Sequence, residues 1–307
     1  MSETEKILQR YELISGYSTG SILRPLCLGN FENRICRLCG KTKPEVTFKK
    51  KSHIVPEGLG NKILFSLYEC DNCNSLYGST IENDLNNLLS PYKLFFKIKW
   101  KKGINTIKPY KGKDRIEYAQ DLNMVLAKLS NENISIDHKN KTAKLITKTQ
   151  PFSLFNIYKC LLKIALLILP ENEFYNFTPS LQLLKNDIIT SDPLYVKISN
   201  THPYGIEHIE IYLYRRKSES VTNPYVVFIL IFRTLIFQVN LHINFIDHNV
   251  ERTPIFFDSN FRTGSYSDEQ IFNCNDKTNT RSTFTFNFKY EGSRKLPEEL
   301  KVRINRN

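Results

Sequence analysis

Apolar positions recur at helical spacing over residues 3–15 (ETEKILQRYELIS), which predicts a helix ending near Gly16. A loop with Gly20 and Pro25 follows it. Asn133–Lys148 reads as a hairpin, with ISID and AKLIT alternating on either side of a polar HKNKT turn. Pro151 opens FSLFNIYKCLLKIALLIL, a strongly apolar helix broken by Pro170. Its apolar surface is too wide for one solvent-facing helix, which predicts burial between other elements. Leu181–Asp187 predicts a second, short helix. Beyond it the pattern becomes strand-like. Residues 206–214 alternate, and so do Thr283–Tyr290, which place Phe284, Phe286, Phe288 and Tyr290 on one face. Between these, YVVFILIF and LIFQVNLHI predict two buried strands joined near Arg233. There is no fixed-period repeat and no low-complexity tract, so the pattern indicates an α+β protein.

The chain is 307 residues long, 41% hydrophobic and 12% aromatic, which suits a folded protein rather than a disordered one. Its formal net charge of +12 favours a polyanionic partner, nucleic acid or an anionic surface. The charge concentrates in residues 92–115, where Lys97, Lys99, Lys101 and Lys102 alternate with aromatics such as Phe95, Phe96 and Trp100. That stretch reads either as a phosphate-tracking surface with a stacking ring, or as strands with core aromatics and solvated lysines. The chain starts charged and polar, without a secretory apolar region, and no stretch is long and uninterrupted enough to span a membrane. A soluble, cytoplasmic protein is the expectation, supported by cysteines that do not form a disulfide-type framework.

Four of the seven cysteines form two pairs, Cys36-x2-Cys39 and Cys70-x2-Cys73. Two such knuckles supply four thiolates for a closed, structural zinc site. The segment between them is longer than in a simple zinc finger, so it must hold something else. It contains Ser52-His53-Ile54-Val55-Pro56, then Gly60-Asn61, and Asn74 directly follows the last cysteine.

This set, in this order, resembles the HNH family of ββα-metal nucleases, in its subgroup stapled by zinc. The resemblance implies a two-stranded hairpin followed by a helix, here running from about Asn74 to Leu88, with His53 at the end of the first strand. It implies that His53 is the general base that deprotonates the attacking water. Asn61 would hold the loop and so orient the imidazole, and Asn74 would offer its amide oxygen to a catalytic Mg²⁺ or Mn²⁺. Each residue also has a plainer reading: His53 and Asn61 as turn residues, Asn74 as a helix cap. The chain departs from the family at Ser52, where many members carry an acid that binds the metal. Glu57, Glu69, Asp71 and Glu82 are candidate substitutes. Glu82 lies about 12 Å along the helix from Asn74 and so ranks lower, and the sequence leaves the choice open.

The expected organisation is an N-terminal helical extension (1–30), a zinc-stapled HNH module (31–91, closed by Pro91), and a basic segment with a mixed α+β C-terminal domain (92–307). The expected function is a metal-dependent endonuclease acting on nucleic acid, DNA rather than RNA, in restriction or phage defence. The alternatives are a weak or inactive zinc module that only binds nucleic acid, made credible by Ser52, and a zinc-stabilised protein-interaction module.

Overall fold

The computed structural model describes residues 9–100, 103–108, 114–121, 123–186, 192–201, 205–220, 222–247, 256–257 and 268–289. Tyr11–Ser18 forms β1, and Leu26–Leu28, Ser52–His53 and Leu64–Ser66 form β2, β3 and β4. Three helices follow: α1 (Asp71–Ser79), α2 (Ile81–Leu88) and α3 (Ser90–Phe95). Next come α4 (Leu154–Ile168) and α5 (Thr178–Lys185), then β5 (Tyr195–Asn200), β6 (Ile209–Arg216), β7 (Val226–Phe232), β8 (Leu235–Asn240) and β9 (Asp268–Asn273).

The larger sheet has the order β1-β6-β7-β8-β5-β9, with every neighbouring pair antiparallel. Its central strand β7, VVFILIF, is buried at every position. Phe228, Leu230 and Phe232 face the main core, whereas Val227, Ile229 and Ile231 pack with Tyr11 and Phe257 on the opposite face. A strand covered on both sides has no polar alternation to display, which is why its sequence is a continuous apolar run. The turn between β7 and β8 is made by Arg233 with φ 59°.

Of the helix expected over residues 3–15, residues 3–8 lie outside the described residues, Gln9 and Arg10 are helical, and from Tyr11 onward the strand β1 takes its place. Tyr11–Ser18 pairs with β6, with a register shift between Leu13 and Ser15. The spacing of YELIS fits either period over so short a stretch, and β6 offers it a full ladder of hydrogen bonds. The hairpin read at Asn133–Lys148 is present as Ile134–Asp137 against Thr142–Lys148, and Thr283–Lys289 adds a third strand to it.

Helix α4 carries the packing. From Ile157 to Ile168 every residue is buried, Lys159 and Lys163 included. It lies between α2 and the β7–β8 face of the sheet. One hydrophobic cluster therefore runs from Leu38 and Ile54 through α4 to Phe237 and Val239. Each large aliphatic side chain buried there contributes roughly 1.5–3 kcal/mol before conformational entropy is counted. Among the described residues no helix is long and apolar enough to cross a membrane.

Candidate metal centres and nuclease site

The first cysteine knuckle closes through Gly40 N–H to the Cys36 carbonyl at 2.7 Å, and Gly40 takes φ +77°, which a residue with Cβ adopts only under strain. The second knuckle is the start of α1: Cys70 is its N-cap and its sulfur accepts from the Cys73 amide. Together they bring the four Sγ atoms within 4.8 Å of one another. Cys36 and Cys73 lie 3.8 Å apart, as do Cys39 and Cys70. Tetrahedral zinc with Zn–S bonds of about 2.3 Å requires sulfurs about 3.8 Å apart, and these two pairs already stand at that spacing. A hydrogen bond from Cys73 pulls the Cys36 thiol down to about 5, and the same bond pushes Cys73 up. The set thus keeps protons that zinc would displace on binding.

Strands β2, β4 and β3 form a small sheet in that order, β3 and β4 antiparallel and β2 and β4 parallel. The β3–β4 hairpin followed by α1 is the ββα arrangement. The single helix expected from Asn74 to Leu88 is corrected: α1 begins at Asp71, and Thr80, with φ −113° and ψ −93°, breaks the run into α1 and α2. Pro91 likewise sits in the first turn of α3 and opens a further helix.

His53 ends β3, with its ring 4.7 Å from that of Phe65 and its Nε2 3.9 Å from Glu57 Oε2. Asn61 is fully buried and saturated: its amide donates to the carbonyls of Val55 and Leu64 at 2.8 Å, and its oxygen accepts from the amides of Ile63 and Leu64. It therefore ties the loop after His53 back onto β4. Gly58, in that loop, lies so close to Asn86 that an added Cβ would fall 2.2 Å from the Asn86 oxygen. Lys93 Nζ donates to that same oxygen at 2.8 Å.

Asn74, in the first turn of α1, faces Ser52, whose hydroxyl lies 3.3 Å from Asn74 Oδ1. The Ser52 hydroxyl also donates to Glu69 Oε2. The four acids left open by the sequence now separate. Burial opposes charge at Asp71, but hydrogen bonds from Thr47 and the Lys49 and Lys50 amides win and hold its carboxyl below the ordinary range, so it is a loop staple. Glu57 stands beside His53, and Glu82 pairs with Lys163. Only Glu69, of the four, bonds to the side chain that replaces the missing acid. The donors gathered at Ser52, Asn74 and Glu69 are all oxygens, a set suited to Mg²⁺ or Mn²⁺ rather than to a thiophilic ion.

Two residues that the sequence gave no reason to single out tie this region to the rest of the chain. Arg37 lies over the Tyr68 ring at 3.5 Å, and its Nη1 reaches the Leu166, Leu167 and Leu169 carbonyls at the end of α4. Lys163 reaches Glu69 and Glu82 from the middle of α4. In the basic stretch, Lys97 and Lys99 are exposed, while Lys101 and Lys102 lie outside the described residues. Lys97 donates to Asn123 at 3.0 Å. The neighbouring aromatics are packing groups: Tyr92 meets Phe284 edge-on, and Phe95 packs on Phe286 at 4.2 Å.

The fold and cysteine cage thus define a zinc-type ββα module embedded in a larger α+β chain. Residues 36–90 match the family model of HNH endonucleases, the family that their motifs resemble. Neither the curated proteins nor the solved structures searched gave a match.

Proposed function

We propose that the protein is a metal-dependent endonuclease that hydrolyses phosphodiester bonds, with DNA as its substrate. The observation that carries this reading is the meeting of β3 and α1, which brings Ser52 against Asn74 directly beside His53, inside a segment matched to nucleases. His53 takes the proton of the attacking water, and Asn61 fixes the loop that aims its ring. Asn74 and Glu69, with Ser52, would hold the divalent ion, which supplies neutralisation of charge at the phosphate and leaving oxygen. The cysteine cage holds structural zinc. Lys97, Lys99, Lys101 and Lys102 track the backbone of the nucleic acid. A role in restriction or phage defence, in the cytoplasm, belongs to the same reading.

A second reading has its own support. The Lys163–Glu69 pair places an ammonium beside the site, as a module that binds nucleic acid without cutting it could afford to do. Incubating plasmid and single-stranded substrates with Mg²⁺ or Mn²⁺ separates the two. His53→Ala is expected to keep zinc, fold and binding while losing roughly 10²–10⁴-fold in rate. Asn74→Ala is expected to lose activity that added metal partly restores. Equal cleavage by wild type and His53→Ala would remove the histidine from the mechanism, and tight binding without any cleavage would favour the second reading.

A further inference from the structure

Where many family members carry a carboxylate, this chain has Ser52, and its hydroxyl leads to Glu69 and from there to a buried cation. Lys163 Nζ lies 2.8 Å from Glu69 Oε1 and 2.5 Å from Glu82 Oε1. The side chains of Lys163 and Glu69 have no exposed surface at all. The other oxygen of Glu69, Oε2, accepts from Ser52, whose hydroxyl touches Asn74. The ammonium and the oxygen donors therefore share one carboxylate. Lys163 also lies outside the matched segment, on a helix buried from Ile157 to Ile168, and its ammonium meets Glu69 and Glu82 at once.

We infer that Lys163 sets the divalent-ion affinity of the nuclease site by acting as an internal cation that competes for Glu69. This rests on the nuclease reading above. A fixed positive charge a few ångströms from a dication, in a poorly solvated setting, opposes its binding strongly, and it draws on the same carboxylate whose other oxygen faces Ser52. One ammonium serves both carboxylates, so removing it leaves Glu69 and Glu82 without the cation that they share. The part of the chain beyond the nuclease module thereby tunes the module's metal requirement.

The test measures Mn²⁺ binding alone, by the paramagnetic resonance signal of the free ion, on full-length, zinc-loaded protein. Wild type is compared with Lys163→Met, which keeps the length of the side chain, and Lys163→Arg, which keeps the charge. Zinc content and thermal unfolding check that each variant is folded. Lys163→Met is expected to bind Mn²⁺ about tenfold tighter or more, and Lys163→Arg no tighter than wild type. Should two unbalanced carboxylates prevent folding, Lys163→Met with Glu82→Gln leaves only Glu69 and is expected to show the same gain. Affinity equal to or weaker than that of wild type in both Met variants would overturn the role of Lys163 and leave the nuclease reading standing. If the tighter Mn²⁺ in Lys163→Met were indifferent to a further Asn74→Ala change, the ion would lie elsewhere and the nuclease reading itself would fall.

Discussion

Lys93 is almost wholly buried on α3, and its ammonium is met by an amide oxygen, that of Asn86. Burial pulls its pKa from 10.5 down to about 8. Each tenfold loss of proton affinity corresponds to about 1.4 kcal/mol, so holding this charge in the folded state costs about 3 kcal/mol at neutral pH. Lys93→Met removes the charge and keeps the bulk. It also takes the hydrogen bond from Asn86, worth about 1 kcal/mol, so the expected net gain is about 2 kcal/mol at pH 7. The sign with pH follows from the lowered value. Below about 8 the folded protein carries the full cost of a buried cation. As pH rises from 8 toward 10.5 the folded form sheds the proton while the unfolded form keeps it, so wild type gains stability relative to the variant. Urea unfolding of both proteins at pH 7 and pH 10 reads this directly, and the gap between them is expected to close at the higher value. A Met variant less stable than wild type at pH 7, by a margin that does not change with pH, would refute the reasoning. Because Asn86 abuts Gly58 in the loop after His53, a stabilised variant that cuts more slowly would show that the buried charge is retained for the site.

Metal analysis is expected to find about one tightly held zinc per chain, and Cys73→Ser should lose it together with the cooperative unfolding of the module, read by circular dichroism with and without chelator. Arg37→Ala should cost about 2–4 kcal/mol in urea unfolding, because it strips three carbonyls at the end of α4 of their donor and removes the cation over Tyr68. Changing Lys97, Lys99, Lys101 and Lys102 together to Gln should weaken nucleic-acid binding and flatten its dependence on salt, and an unchanged slope in a mobility-shift titration would make them plain solvated surface.

What could be read from the sequence was local. The two cysteine pairs, Ser52-His53 and Asn74 lie within one short segment, and the cysteine cage and ββα order expected of it are formed, although its helix is divided at Thr80. The apolar run after Pro151 told its own story too, since a helix without a polar face has to be surrounded. The errors fell where local pattern was ambiguous or partners were distant. YELISGYS becomes a strand because β6 lies beside it, and nothing within residues 3–15 announces that neighbour. Thr80 breaks the helix without a proline or glycine to mark it. The pairing of Lys163 with Glu69, and of Arg37 with the end of α4, joins residues far apart in the chain, and no local pattern marks either.

The placement of β1 has a consequence for how the chain can be divided. β1 precedes the nuclease module, yet its partner β6 follows it by well over a hundred residues, with Thr19 still hydrogen-bonded to Ile209 across a separation of 190. The module is therefore set into the sheet protein like a stone in a mount, gripped by chain at both ends, instead of hanging from one. A single cut near residue 91 would carry β1 away with the nuclease and leave β6 as a raw edge, open to pairing with other molecules. During synthesis the same arrangement gives an order: the cysteine cage can close on zinc while β1 is still waiting for its partner to leave the ribosome. Clean separation of the module from the sheet calls for replacing it with a short linker between β1 and the rest of the sheet, not for truncating either end.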